Sequence, residues 1–214
     1  MDFELNDEQK LLRDTTKDLL ARSYDAEKRN AIIDSDPGWS PQVWKQLAEV
    51  GLLGLTFSED DGGMDAGPVE IGAVMTEIGR RLAPEPLLDA VVTPGGLISE
   101  GCSADQRLSI LPGVAEGTTF LAFADQEPGI RWPATERATA AAQVDGGWTI
   151  TGIKNPVGHG ATADILVVSA ALPSGGVGLF LVKSDASGLV RKSCATHDGL
   201  RGAQIEFTGT PAEA

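Results

Sequence analysis

A carboxylate at a predicted strand end and a glycine-rich segment are the parts of this sequence best suited to binding a ligand. Glu127, Pro128 and Gly129 follow a predicted strand at 119–124 and place backbone N–H groups beside a carboxylate. Residues 152–164 are rich in glycine and predict a loop where a ligand could approach the backbone closely. Ordinary turns have the same composition, so neither segment identifies a site by itself.

Several common catalytic signatures are missing from the sequence. It has no G-x-x-x-x-G-K-[ST], G-x-G-x-x-G, H-E-x-x-H or G-x-S-x-G motif, which argues against the enzyme classes that use them. His159 and His197 have no second histidine or cysteine at metal-ligand spacing. We therefore expect no metal site, and we expect both histidines to have packing or surface roles.

Charge and hydropathy limit the partners of the chain. Its 31 acidic residues outnumber 17 basic ones, giving a net charge of -14, which argues against nucleic acid and anionic membranes as partners. No apolar run approaches the roughly 20 residues needed to cross a bilayer. Two cysteines far apart and the lack of a secretory signal after Met1 indicate a reducing compartment. The expected location is the cytoplasm.

The first half of the chain has helical periodicity. Apolar positions recur every three or four residues, and Asn6 with Gln9 forms a predicted capping box. Ser40 followed by Pro41 is a typical helix start. The predicted helices cover 6–21, 40–50, 69–82 and 103–111. An apolar stretch at 87–98 is expected to be interrupted at 94–96, where Pro-Gly-Gly occurs.

The second half changes to short β-branched runs bounded by turn residues. The predicted strands are 119–124, 138–144, 148–151, 165–170, 177–182 and 205–208. Asp145 and Gly146 predict a hairpin with a type I′ turn. The expected fold class is α+β, with an all-helical domain at 1–117 followed by a small antiparallel β-barrel domain at 118–214.

Taken in order, the motifs resemble those of the acyl-CoA dehydrogenase family. They are Gly-Leu-Leu-Gly-Leu at 51–55 with the charged Gly-Gly loop after it, Glu127-Pro128-Gly129, Asp-Gly-Gly-Trp-Thr-Ile-Thr-Gly-Ile-Lys at 145–154, and Gly-Leu-Arg-Gly at 199–202. The resemblance covers essentially the whole chain and implies the family's N-terminal helical domain and middle β-domain. The family's third, helical domain, which usually holds the catalytic Glu, is not matched, so no residue here is assigned as catalytic.

The resemblance implies an FAD flavoprotein that oxidises the Cα–Cβ bond of an acyl-CoA thioester to the trans-2-enoyl thioester. In this chemistry a carboxylate removes the α-proton while a hydride leaves the β-carbon for the flavin. The implied partners are the acyl-CoA substrate and an electron-transfer flavoprotein or similar acceptor.

The resemblance also assigns site residues, although the chain departs from the family pattern at several of them. Gln126 replaces the Thr of the strand-end motif, Pro156 replaces a stacking aromatic residue, and Gly158 replaces a hydrogen-bonding Ser or Thr. Arg131 and Trp132 stand where the family has Gly-Ser-Asp. The implied cofactor-binding residues are Phe123, Asp125, Gln126, Val157 and Gly158, and the implied substrate-binding residues are Arg131 and Trp132.

These departures predict weaker flavin binding, by about two orders of magnitude if two or three hydrogen bonds and a ring stack are lost. The resemblance then favours a subunit of the α2β2 type known from bacterial steroid degradation, acting with a second acyl-CoA dehydrogenase subunit on a bulky acyl group. A catalytically silent structural subunit and a flavin oxidase or monooxygenase of the same fold are the alternatives. Lys183, Arg191 and Lys192 are candidates for CoA phosphate contacts, against a solvated-surface role.

Overall fold

The computed structural model describes residues 4–130 and 136–214. The chain divides into two compact units. The first consists of Met1–Pro86 and Ala104–Thr118, and the second consists of Leu87–Ser103 and Thr119–Ala214. The helical segment 87–103 therefore belongs to the same unit as the strands.

Six α-helices occur in the described residues. They are α1 (Asp7–Ser23), α2 (Ala26–Ile33), α3 (Pro41–Glu49), α4 (Pro68–Arg81), α5 (Thr93–Gly101) and α6 (Ala104–Ala115). A short 3₁₀ turn covers Glu59–Asp61, and a π-helical segment, Leu88–Val92, continues directly into α5. All of these except α5 and the π-helical segment belong to the first unit.

The predicted caps explain where two of the helices begin. The Asn6 side chain accepts the backbone N–H of Gln9 at 2.8 Å, and the Gln9 side chain accepts that of Asn6 at 2.9 Å. Ser40 caps α3 by accepting the backbone N–H of Val43 at 3.3 Å. Helix α2 was not predicted, because it buries no side chain and so has no apolar stripe.

The expected interruption at 94–96 is wrong. Pro94 follows a π-helical turn in which the N–H of Thr93 donates to the carbonyl of Leu88, five residues earlier. The π-helical segment before it carries the chain into α5 without a break. Residues 88–101 are therefore helical throughout.

The second unit contains seven strands in a mixed sheet. They are β1 (Leu121–Ala124), β2 (Ala140–Val144), β3 (Gly147–Gly158), β4 (Ile165–Ala171), β5 (Val177–Lys183), β6 (Leu189–Ala195) and β7 (Arg201–Ala212). The strand order is β1-β4-β2-β3-β7-β6, with β5 also paired to β4. A single bridge between Leu181 and Glu213 connects β5 to β7, so the sheet curls into a half-barrel.

The α+β class is confirmed, and the sheet differs from the purely antiparallel one expected. β1 pairs with β4 in parallel over Leu121–Ala124, and β2 meets β4 in parallel at Ala140. The Asp145–Gly146 hairpin joins β2 to β3 as expected. Its turn is not type I′, because Gly146 has a φ of 90° whereas Asp145 does not adopt a positive φ.

The expected loop at 152–164 is wrong over its first half, because β3 continues through Pro156 to Gly158. Proline is tolerated there since the β3–β7 register shifts between Lys154 and Val157, so no ladder N–H is needed from Pro156. Strand β6 was not predicted. Five of its seven residues are exposed and none is fully buried, so it lacks the alternation that marks a half-buried strand.

The described helices include none long and apolar enough to cross a bilayer.

Candidate functional site

A cavity of about 290 Å³ in the second unit lies where two of the sequence motifs end. Its lining comes from the end of β1 and the residues after it, from the end of β3 and from the helical segment 88–101. The lining residues are Asp89, Thr93, Phe123, Asp125, Gln126, Pro156 and Gly158.

Backbone hydrogen bonds hold the two motifs side by side. The N–H of Asn155 donates to the carbonyl of Gln126 at 2.8 Å, which ties the segment after β1 to β3. The Asp164 side chain accepts the N–H of Phe120 at 2.8 Å at the start of β1. The cavity wall is therefore fixed by the main chain as well as by side chains.

A buried ion pair lies behind this wall. Lys154 is fully buried, and its Nζ donates to Oε1 of Glu127 at 2.8 Å, to the carbonyl of Asp125 at 3.0 Å and to Oγ of Ser169 at 3.1 Å. Three acceptors satisfy the three N–H bonds of the ammonium. Burial lowers the pKa of Lys154, although the Glu127 carboxylate opposes this shift.

Glu127, the acidic member of the ion pair, also accepts hydrogen bonds from two backbone N–H groups. Its Oε2 accepts the N–H of Ala138 at 2.7 Å and its Oε1 accepts that of Thr139 at 2.9 Å. Burial alone would raise the pKa of Glu127, but the hydrogen bonds from Lys154 and these two backbone groups outweigh it and lower the pKa to about 2. The carboxylate therefore stays ionised and organises the turn rather than exchanging protons.

One carboxylate oxygen of Asp125 accepts hydrogen bonds from two other side chains of the protein. Oδ1 accepts from Nη2 of Arg137 at 2.7 Å and from Oγ of Ser169 at 2.7 Å. Arg137 also donates from Nε to Ser169 at 3.2 Å. The position of Asp125 in the cavity lining is thus set by the same hydrogen-bond network that holds Lys154.

Four of the five residues predicted to bind the cofactor line this one cavity: Phe123, Asp125, Gln126 and Gly158. The fifth, Val157, does not, because its side chain is fully buried in the apolar core of the unit. Arg131 and Trp132, the predicted substrate contacts, lie outside the described residues. Pro156, noted in the sequence as a departure from the family pattern, lies in the lining as well.

The sequence analysis did not predict Asp89 and Thr93. These two residues lie one helical turn apart, and both line the cavity. Asp89 is the one charged residue in the apolar stretch 87–98, a signal that was available. Burial raises the pKa of the Asp89 carboxyl, and the negative charge of Asp198 adds to the effect.

The three candidate phosphate contacts each have a partner in the chain. Arg191 donates to the carbonyl of Ala163 at 2.8 Å and to those of Gly160 and Ser184 at 3.4 Å. Lys192 pairs with Glu206 at 2.6 Å, and Lys183 lies 3.9 Å from Glu213. Arg191 therefore holds the loop between β3 and β4.

No group of three or more His, Cys, Asp or Glu side chains suited to a metal occurs in the described part of the chain. His159 is buried, and among residues 4–130 and 136–214 neither of its ring nitrogens has a hydrogen-bond partner. Burial, together with the positive charge of Arg201, lowers the pKa of His159 to about 4, so the imidazole is neutral at physiological pH.

The lining suits the polar edge of a planar aromatic ligand. Phe123 offers a ring, Gln126 offers an amide donor and acceptor, and Thr93 offers a hydroxyl. A volume of about 290 Å³ lies just below the roughly 300–1,000 Å³ common for ligand pockets. It fits one end of a large cofactor better than the whole of it, and a flavin ring meets these requirements.

Comparison with known families gives two matches along the chain. Residues 6–118 match the model described as "Acyl-CoA dehydrogenase, N-terminal domain". Residues 122–209 match "Acyl-CoA dehydrogenase, middle domain". Together they cover both compact units and the strand-end and β3 motifs of the cavity.

Individual relatives agree with these matches. Acyl-CoA dehydrogenase FadE27 of Mycobacterium tuberculosis is 30% identical over 173 residues, covering 77% of this chain and 44% of its own length. A solved structure described as a Tcur3481-Tcur3483 steroid ACAD G363A variant is 30% identical, with a TM-score of 0.90 over 97% of this chain and 56% of that one.

The ChsE4-ChsE5 complex from Mycobacterium tuberculosis is similar to the same extent in structure. It is 26% identical, with a TM-score of 0.90 over 100% of this chain and 57% of that one. The chain thus spans about half the length of the relatives that it matches.

Proposed function

The chain belongs to the acyl-CoA dehydrogenase family, and from this we propose that it forms part of a subunit of an FAD-dependent acyl-CoA dehydrogenase acting in the cytoplasm. The reaction is oxidation of an acyl-CoA thioester to the trans-2-enoyl thioester. The observation that carries the proposal is the cavity, where the segment after β1 and the end of β3 meet in front of the buried Lys154–Glu127 pair.

The residues of the cavity would hold one edge of the flavin ring. Phe123 would provide apolar contact, and Gln126 and Thr93 would provide hydrogen bonds, on a wall that the Lys154 hydrogen bonds hold in place. Bound FAD would supply the acceptor for the hydride lost from the β-carbon. We assign the carboxylate that removes the α-proton to no residue of this chain, and propose that the family's third domain or a partner supplies it.

Substrate and partners are proposed from the relatives. The steroid ACAD and the ChsE4-ChsE5 complex support a hetero-oligomer with a second acyl-CoA dehydrogenase subunit and a bulky, steroid-derived acyl group. Arg131 and Trp132 remain the proposed substrate contacts, and an electron-transfer flavoprotein or similar protein is the proposed electron acceptor.

A second candidate is a structural subunit that holds no flavin. It is favoured by Pro156 and Gly158, which line the cavity but offer it no side-chain hydrogen bond. In that case the cavity would be a remnant of the family's fold, and the subunit would only complete the assembly.

Flavin retention separates these two candidates. The protein is purified alone and after co-expression with candidate partner subunits, and flavin is measured by its visible absorbance. We expect flavin to be retained with the correct partner and to be weak or missing in the protein alone. Equal retention without a partner would remove the hetero-oligomer proposal, and a flavin content unaffected by truncating Phe123 and Gln126 would support the structural subunit.

Turnover then identifies the reaction. With a steroid-derived acyl-CoA and an artificial electron acceptor, we expect enoyl-CoA to form without consumption of oxygen. Oxygen consumption with a hydroxylated or oxidised product would instead indicate a flavin monooxygenase or oxidase, since one fold can support different chemistries.

A further inference from the structure

One wall of the cavity is formed by Asp89, which belongs to neither of the two sequence motifs. A β-carbon built on Gly158 would lie 2.6 Å from Oδ2 and 2.9 Å from Cγ of Asp89. The Asp89 carboxyl thus occupies the space that any side chain at position 158 would need. Both residues belong to the second unit and both line the cavity.

The carboxyl of Asp89 is left available to a ligand. No hydrogen bond within the described part of the chain uses it, whereas Oδ1 of Asp125 in the same cavity is held by Arg137 and Ser169. The negative charge of Asp198 acts on it and repels it. A half-buried carboxyl with no cation beside it gains most from a partner that satisfies its hydrogen-bonding capacity.

We propose that Asp89 is a flavin-contacting residue, and that its carboxyl makes the hydrogen bond to the ring edge that Gly158 cannot make. The proposal rests on the flavin site proposed above and adds a residue that neither motif contains. Thr93 lies one helical turn further along the same wall, so the helical segment presents two polar groups to the ligand. In its protonated form the carboxyl would donate a hydrogen bond to a ring nitrogen or carbonyl oxygen.

The proposal is tested by removing the polar side chain at position 89 and introducing one at position 158. Flavin is first removed from the assembly of the protein with its partner subunit. FAD is then titrated into this flavin-free assembly, and the dissociation constant is read from flavin fluorescence. We expect Asp89→Ala to weaken binding about 5- to 10-fold, the effect of one lost hydrogen bond. Gly158→Ser alone is expected to give no gain, because the new side chain meets the carboxyl. Adding Gly158→Ser to Asp89→Ala is expected to restore most of the affinity.

The control is Asp185→Asn, which removes an exposed charge from the loop between β5 and β6 and should leave FAD affinity unchanged. An affinity of Asp89→Ala within twofold of wild type would overturn the proposal. So would a double variant no better than Asp89→Ala. Failure of the wild-type assembly to bind FAD would instead refute the flavin site itself, and Asp89 with it.

The isosteric variant Asp89→Asn keeps the test usable if the alanine variant does not fold. The titratable and charged groups around Asp89 are Asp125 in the cavity, Asp198 before β7, and His159 and Arg201 near Asp198. Because burial raises the pKa of Asp89, we expect wild-type affinity to fall with rising pH as this carboxyl ionises, and the affinity of Asp89→Asn to stay level. Matching pH profiles for the two proteins would contradict the role of the carboxyl.

Discussion

Nζ of Lys154 lies 2.8 Å from Oε1 of Glu127, and neither side chain is more than 3% exposed. This ion pair joins β3 to the segment after β1 behind the candidate flavin site. Charges buried to this degree are retained only when every donor and acceptor has a partner, as both have here. The pair therefore sets the position of the cavity wall.

Removing one member of the pair is expected to destabilise the protein strongly. Lys154→Met leaves the Glu127 carboxylate buried without its counter-charge, and should lower the free energy of unfolding by about 3–5 kcal/mol. The double variant Lys154→Met/Glu127→Gln removes that uncompensated charge and should lose less than the sum of the two single changes, by about 1–3 kcal/mol. Urea unfolding of all four proteins measures this coupling, and strictly additive losses would show that the pair is not linked energetically.

Acid should weaken the same pair over a defined pH range. The folded state lowers the pKa of Glu127 from its ordinary 4.5 to about 2, so folding favours the carboxylate over the protonated acid. The stabilisation is complete above about pH 4.5 and is lost as the pH falls toward 2. Urea unfolding of wild type and Glu127→Gln at successive pH values should give a difference that shrinks over this range. A constant difference would mean that Glu127 does not titrate in this way.

The helical half could be predicted well because its local signals are strong. Asn6 and Ser40 form their predicted caps, and the apolar positions of α3 and α4 recur at helical spacing. Helix α2 could not be found this way, since it buries no side chain. The helix continues through Pro94 directly after a π-helical turn, which the local sequence does not predict.

The β half was harder, because its pairing depends on contacts far apart in the sequence. The parallel pairing of β1 with β4 has no local signature, and the register shift that admits Pro156 into β3 depends on β7. Phe123, Gln126 and Gly158, which the motifs predict as cofactor contacts, line one cavity. Asp89 was missed because only the fold brings a residue 69 positions earlier against Gly158.

Gly63 is predicted to be irreplaceable in the loop after α3. A β-carbon there would lie 2.2 Å from the carbonyl oxygen of Phe57 and 2.5 Å from that of Gly54, and backbone atoms cannot move aside cheaply. Gly63→Ala should lower the free energy of unfolding by about 1–3 kcal/mol. Gly72→Ala is the control: this exposed site in α4 has no atom within 4 Å, so alanine should be neutral or stabilise by about 0.5–1 kcal/mol. Thermal unfolding distinguishes them, and equal melting temperatures would contradict the steric argument.

Arg191 is predicted to act on the fold rather than on CoA phosphates. Its guanidinium donates to the carbonyls of Gly160, Ala163 and Ser184, a geometry that a lysine ammonium cannot reproduce. Arg191→Lys should therefore lower the free energy of unfolding by about 1–2 kcal/mol. Lys192→Ala, next in the strand, removes only an exposed ion pair and should cost no more than about 1 kcal/mol. Urea unfolding and CoA titration of both variants decide the matter: weaker CoA binding by Arg191→Lys with unchanged stability would restore the phosphate-contact hypothesis.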